Sequence, residues 1–318
     1  MRKVLLSGAL ALIGLAAPAA SVLAPAAAAS AAAPRHAAAS TTTAGTTTAG
    51  RPVPGLYHVP IIGKATLPGV LGSLLGGGNG NGLRHATAVS SSNWSGYADT
   101  NDTFGSVTSS WTEPTVNCAD SNSGLDGVLS LSDLLGGPGA ASAFWVGLDG
   151  YNSTSVEQLG TDSDCDSGTP SYYAWYEMYP NPSEVLPSQY PVKPGDQLTA
   201  LVASNAAGTS FTLEIKDTTA GWTFSTTQTG SGFARSSAEV IAEAPSSCSI
   251  LFCSEVPLAD FGQLNFSGSS VINTAGTKGS LSAFNANEIT MSDNGTTLAT
   301  PSSLSSDGSS FSVKWNNS

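Results

Sequence analysis

From Ala88 onward, apolar and polar residues alternate with period 2 in short runs. Clusters of Gly, Asn, Asp, Ser and Pro separate the runs, as between β-strands. The pattern predicts strands over Ser106–Thr112, Ala143–Asp149, Ser155–Asp162, Ser171–Tyr179, Gln197–Ser204, Ser210–Lys216, Trp222–Thr227, Ser237–Ala244, Gly262–Ser267, Glu288–Ser292 and Phe311–Trp315. No stretch keeps a helical period for three turns. About a dozen strands within 86–318 predict an all-β domain, an antiparallel sandwich or barrel. Strands rich in Ser and Thr fit sheets with one face to the core and one to water.

The N-terminal part reads differently. Arg2 and Lys3, the apolar run Val4–Ala17 and the Ala-rich stretch to Ala29 predict a signal peptide over 1–29. A lipid-anchoring helix fits less well, because the run is short and Pro18 interrupts it. Residues 30–85 are rich in Ala, Thr, Gly and Pro and read as a propeptide or flexible linker. Its short apolar pieces, Val59–Ile62 and Val70–Leu75, are the parts able to dock elsewhere.

Charge sharpens this division. The 318 residues carry 11 bases and 23 acids. Six bases (Arg2, Lys3, Arg35, Arg51, Lys64, Arg84) and no acids lie in 1–85, so 86–318 holds 5 bases against 23 acids, 5 − 23 = −18. A +6 segment and a −18 domain attract each other, so the segment is expected to mask the domain until carboxylates titrate. So few bases make nucleic-acid binding a poor reading, and no long apolar run after the N-terminus suggests a membrane span. Export permits disulfides. Cys118, Cys165, Cys248 and Cys253 allow three pairings. Cys248–Cys253 closing a short loop and Cys118–Cys165 tying a long loop to a later turn are favoured. A zinc site would have neither His nor a CxxC pair, so no metal is expected.

Residues at i, i+2 and i+4 share a sheet face. Trp145, Gly147 and Asp149 form one such set. Val156, Gln158, Gly160 and Asp162 form a second, Tyr173, Trp175, Glu177 and Tyr179 a third, and Glu239, Ile241 and Glu243 a fourth. A solvated face would carry few aromatics, and a core face no acids, because an unpaired buried charge costs several kcal/mol. If the four sets share one face, they form an acidic, aromatic-lined cleft. His36, His58 and His85 are the three histidines, so no His-dependent triad fits within 86–318. Carboxylate chemistry remains, on glycosides or peptides, with an amide such as Gln as oxyanion donor. A β-sandwich glycosidase and a non-catalytic carbohydrate- or peptide-binding module use similar faces.

The successive motifs Ser92-Asn93-Trp94-Ser95-Gly96-Tyr97, Phe144-Trp145-Val146-Gly147-Leu148-Asp149-Gly150, Gln158-Leu159-Gly160-Thr161-Asp162, Ala174-Trp175-Tyr176-Glu177-Met178-Tyr179-Pro180, Ala238-Glu239-Val240-Ile241-Ala242-Glu243 and Ala259-Asp260-Phe261-Gly262 resemble those of the glutamic peptidases, or eqolisins. The likeness spans about Ser92 to Phe266 in the family's order. It implies a secreted, acid-acting endopeptidase made as a preproprotein, with a concanavalin-like sandwich of two antiparallel sheets, no cofactor, and protein or peptide substrates. Gln158 and Glu243 match the catalytic dyad. Trp145, Asp149, Asp162, Glu177, Trp175 and Glu239 match or flank residues that bind substrate or support the cleft. The chain departs from the pattern at Val240, where a Trp is usual, at Ala244-Pro245 and in its cysteines. The Ala/Gly-rich leader is closer in composition to a bacterial than a fungal member. A monomer without membrane attachment is expected.

Overall fold

The computed structural model describes residues 56–66, 87–119, 138–248 and 253–318. The expected signal peptide, Val70–Leu75 and most of 30–85 lie outside them. Twenty strands form among the described residues, and no α-helix. They are β1 (Leu56–Tyr57), β2 (Ala65–Thr66), β3 (Thr87–Ser91), β4 (Trp94–Thr100), β5 (Phe104–Thr112), β6 (Ala140–Leu148), β7 (Val156–Asp166), β8 (Thr169–Tyr179), β9 (Glu184–Val185) and β10 (Gln197–Ser204). There follow β11 (Ser210–Asp217), β12 (Trp222–Thr229), β13 (Ser237–Glu243), β14 (Ser246–Cys248), β15 (Cys253–Glu255), β16 (Gln263–Asn273), β17 (Lys278–Gly279), β18 (Asn287–Asp293), β19 (Thr296–Pro301) and β20 (Phe311–Trp315).

The strands form two large antiparallel sheets. The first runs β9-β8-β7-β6-β13-β4-β18, with β3 added in parallel beside β18. The second runs β12-β11-β10-β5-β16-β20. Strand β19 pairs with both β18 and β20 and joins the sheets along one side. Between the sheets, Phe144, Val146, Leu148, Leu159 and Val240 meet Trp111, Leu198, Val202, Phe211, Leu213 and Ile215 in one apolar core. Removing this surface from water is the main favourable term in the fold.

Each of the eleven runs read from periodicity falls on a strand, several of them longer than the alternation implied. Strand β4 escaped that reading for a physical reason. It lies between β13 and β18, and each of its residues is buried. Its sequence therefore shows no alternation, and Gly96 interrupts it. That glycine sits at φ 145°, where a side chain would collide with the Val240 carbonyl. Both expected disulfides, Cys118–Cys165 and Cys248–Cys253, are present.

Candidate active site

The outer face of the first sheet carries the four residue sets singled out by alternation. Across β6, β7 and β8 the register aligns Ala143–Asp162–Tyr173, Trp145–Gly160–Trp175 and Gly147–Gln158–Glu177. On the other side of β6, β13 places Ile241 beside Trp145 and Glu243 beside Ala143. The sets therefore share one face. Two glycines shape it. A Cβ at Gly160 would lie 2.6 Å from the Trp145 Cβ, and one at Gly147 would lie 2.9 Å from the Trp145 ring and 3.2 Å from the Gln158 Cβ. Their absent side chains leave room for the indole, whose Nε1 donates to Glu243 Oε2 at 2.7 Å.

A segment of the N-terminal part, 56–62, crosses this face. Strand β1 pairs with β14, the inner strand of the hairpin closed by Cys248–Cys253. The His58 ring stacks on Trp175, with centroids 3.4 Å apart and planes 6° from parallel. Its Nε2 lies 3.7 Å from Asp162 Oδ2 and its Nδ1 3.6 Å from Glu243 Oε2. The His58 amide donates to Glu177 Oε2 at 3.1 Å. Gln158 Nε2 donates to the His58 carbonyl and, at 2.8 Å, to Glu177 Oε2. Both of those neighbours are acceptors, so the amide nitrogen, not its oxygen, must face them. The next amide, that of Val59, lies close enough to Glu243 to favour its ionised form. Beyond it, Trp94 Nε1 and Asn93 Nδ2 donate to the Val59 carbonyl at 3.0 and 3.3 Å.

The site is buried, and its carboxyls respond. Burial pushes Glu243 well above the usual carboxylate range, and Glu177 and Asp162 add to this. The Trp145 and Val59 N–H groups pull the other way by favouring the ionised form. Burial raises Glu177, against donors from His58 and Gln158. Asp162 is raised by burial and by Asp164, although Tyr173 and Trp175 donate to it. Asp164 is pushed up to about 7, chiefly by burial. The His58 imidazole is pushed down by burial. Burial thus favours the neutral form of each group, and the N–H and O–H donors around Glu243, Glu177 and Asp162 oppose it.

Of the residues singled out from sequence, Gln158, Glu243, Trp145, Trp175, Asp162 and Glu177 come together here. Asp149 and Glu239 do not. Asp149 accepts from the backbone amides of Arg235 at 2.7 Å and Ser236 at 2.8 Å. Glu239 interacts with Asp149, Glu157 and Asp99 in a second buried acidic group. Alternation put Glu239 on the face of Glu243, but it stands four residues earlier along β13, beside Gly147 rather than Ala143. Asn93, Trp94 and His58 were not read as site residues, and Tyr173 was placed on the cleft face without a role. Motif position pointed to the first two, while His58 stands in a segment with no periodicity to place it. Among the described residues, no group of three or more His, Cys, Asp or Glu is arranged to hold a metal ion.

Comparison with known proteins agrees with this geometry. Residues 92–315 match the Peptidase A4 family. Aspergillopepsin-2 of Aspergillus niger is 30% identical over 204 residues, covering 59% of this chain and 67% of the relative. Scytalidopepsin B of Scytalidium lignicola is 34% identical over 133 residues, 40% of this chain and about half (49%) of the relative's length. Among solved structures, scytalido-glutamic peptidase with a peptide-based transition-state analogue aligns with TM-score 0.58 and 25% identity, over 71% of this chain and 98% of that one. The eqolisin SCP-B in complex with the tripeptide Ala-Ile-His aligns with TM-score 0.57 at the same identity and coverage. With the family's motifs in order and its fold beneath them, the chain belongs to the Peptidase A4 family, the eqolisins or glutamic endopeptidases.

Proposed function

We propose that this endopeptidase works in acid through Glu243 and Gln158, by direct attack of water and without a covalent intermediate. One observation carries the reading. The carbonyl of a peptide bond, His58–Val59, accepts from the Gln158 amide, and the Val59 N–H of the same bond acts on Glu243 to favour its ionised form. Glu243 in its ionised form, which the Trp145 N–H favours against burial, takes a proton from the attacking water, whose oxygen bonds to the carbonyl carbon. The Gln158 N–H holds the charge that develops on the carbonyl oxygen, a contribution of about 3–4 kcal/mol for such a donor. Glu243 then passes the proton to the nitrogen as the C–N bond breaks. Glu177 orients Gln158 by accepting its second N–H, and Trp145 orients Glu243.

The carboxyls supply the preference for acid. Enclosing a peptide raises their pKa values, so binding takes up protons. Binding is then strongest below the open-cleft values and is lost as pH rises through the occupied-cleft values. Substrates are proteins and peptides, the ligand class held by the related SCP-B in its complex with Ala-Ile-His. The two disulfides support secretion into an oxidising compartment. Residues 30–85 act as a propeptide, supported by the lie of 56–62 over the dyad. One chain supplies the whole dyad, which supports a monomeric unit. Digestion of a protein substrate at about pH 3–4, insensitive to pepstatin and abolished by Gln158→Ala, tests the reading. Digestion that survives the substitution within tenfold overturns it, turnover of a glycoside would indicate a glycosidase, and no turnover a binding module.

A further inference from the structure

The segment over the dyad is held at both ends, with one bond between the holds. We propose that His58–Val59 is the bond the protein cuts in itself, intramolecularly, to begin its own maturation. The inference rests on the dyad reading above and adds the substrate.

The contacts on the two sides differ. On the N-terminal side, β1 lies as an added strand on β14, the Leu56 carbonyl accepts from Ser183 Oγ at 2.6 Å, and Glu177 takes the His58 amide. Backbone pairing of this kind holds an extended peptide whatever its side chains. The stack of His58 on Trp175 then fixes which residue sits before the bond. On the C-terminal side, Asn93 and Trp94 hold the Val59 carbonyl. The Ile62 amide donates to Asn93 Oδ1 at 2.8 Å, and the Ile61 amide to the Gly150 carbonyl at 3.2 Å. Lys64 Nζ donates to the Tyr151 carbonyl at 2.8 Å. Of the bonds in this segment, only His58–Val59 has its carbonyl oxygen on Gln158, and its N–H is the backbone group that acts on Glu243.

The step balances with water alone. The water oxygen bonds to the His58 carbonyl carbon, and the bond from that carbon to the Val59 nitrogen breaks. The water proton reaches that nitrogen through Glu243, leaving a carboxylate on His58 and an amine on Val59. Among the described residues, the stretch after Val59 has the more numerous anchors, so the piece ending at His58 is expected to leave first.

The test uses the full chain, brought to acid pH and followed by intact mass and N-terminal sequencing, with casein digestion read in parallel. The expected result is a new terminus at Val59 and fragments ending at His58. Their first-order rate should be unchanged over a tenfold range of protein concentration, and Glu243→Ala should slow it by at least about 10²-fold. Val59→Pro removes the amide hydrogen facing Glu243 and should yield no fragment ending at His58. Wild-type protein that digests casein while this bond stays whole, or matures only at other bonds, overturns the inference alone. A rate that rises in proportion to concentration also overturns it, since another molecule's cleft would then do the cutting. Absence of both self-cleavage and casein digestion overturns the dyad reading and this inference with it.

Discussion

The first sheet buries acids in two places, and their surroundings differ. Around the dyad, Glu243, Asp162 and Glu177 each accept from N–H or O–H groups of Trp145, Tyr173, Trp175, Gln158 or a peptide backbone. In the second group, the carboxyl oxygens of Asp99, Glu157 and Glu239 are buried without hydrogen-bond partners among the described residues, and Asp149 acts on both Glu157 and Glu239. Only Asp149 is well supplied with donors, from the turn at Arg235 and Ser236. Burial alone therefore does not mark a catalytic carboxyl. The mark is a set of donors able to hold charge on it at the moment of reaction. A carboxyl without them stays protonated and contributes as a neutral, packed group.

Substitutions at the dyad separate the two groups most sharply. Gln158→Ala and Glu243→Ala should each lower kcat by at least about 10²–10³-fold, with melting temperatures at acid pH close to wild type. Glu239→Gln should leave acid activity within a few-fold, and equal damage from it would erase the distinction.

Stability against pH should report the second group. Its folded-state pKa values are raised, to about 9 for Glu157, chiefly by burial and then by Asp149. The folded state therefore holds more protons than the unfolded state at neutral pH. Stability should be full at about pH 3–4 and fall as pH rises, by about 1.4 kcal/mol per unit for each such carboxyl. Thermal melts of Glu157→Gln and Glu239→Gln should show a flatter fall toward pH 8 and little change at pH 3.5. A wild-type melting temperature that peaks above pH 7 would refute this.

Opening the Cys248–Cys253 bridge by Cys→Ser at both positions should have a smaller effect. It frees a short loop worth about 2 kcal/mol and loosens the strand on which β1 lies. KM for peptides should rise more than kcat falls. Asp149→Asn should have the smallest effect, about 1 kcal/mol, through weaker support of the turn at 235–236 and with kcat unchanged.

Much of this was legible in the residues. Period-2 alternation located the strands that pair across the sandwich, and its parity put Trp145, Gln158, Trp175, Glu177 and Glu243 on one face before any pairing was known. Motif order pointed to Gln158 and Glu243 as the proposed dyad. Parity could not rank Glu243 above Glu239, because both lie on the same face and only three-dimensional neighbours distinguish them. It also missed β4, whose two buried faces leave no alternation, and β14 and β15, which are too short to show a period. Val59–Ile62 was flagged as able to dock. That the cleft would receive it depends on backbone hydrogen bonds, which the sequence does not encode in side-chain type.

The histidines carry a last consequence. Because all three precede residue 86, a protein shortened past that point contains no imidazole. Apart from its α-amino terminus, any group in it that titrates near neutrality must then be a displaced carboxyl, such as Asp164 or Glu113, each pushed up to about 7. In the shortened chain, carboxyl signals in infrared or carbon NMR spectra would follow these sites across that range with no ring nitrogen to confuse them.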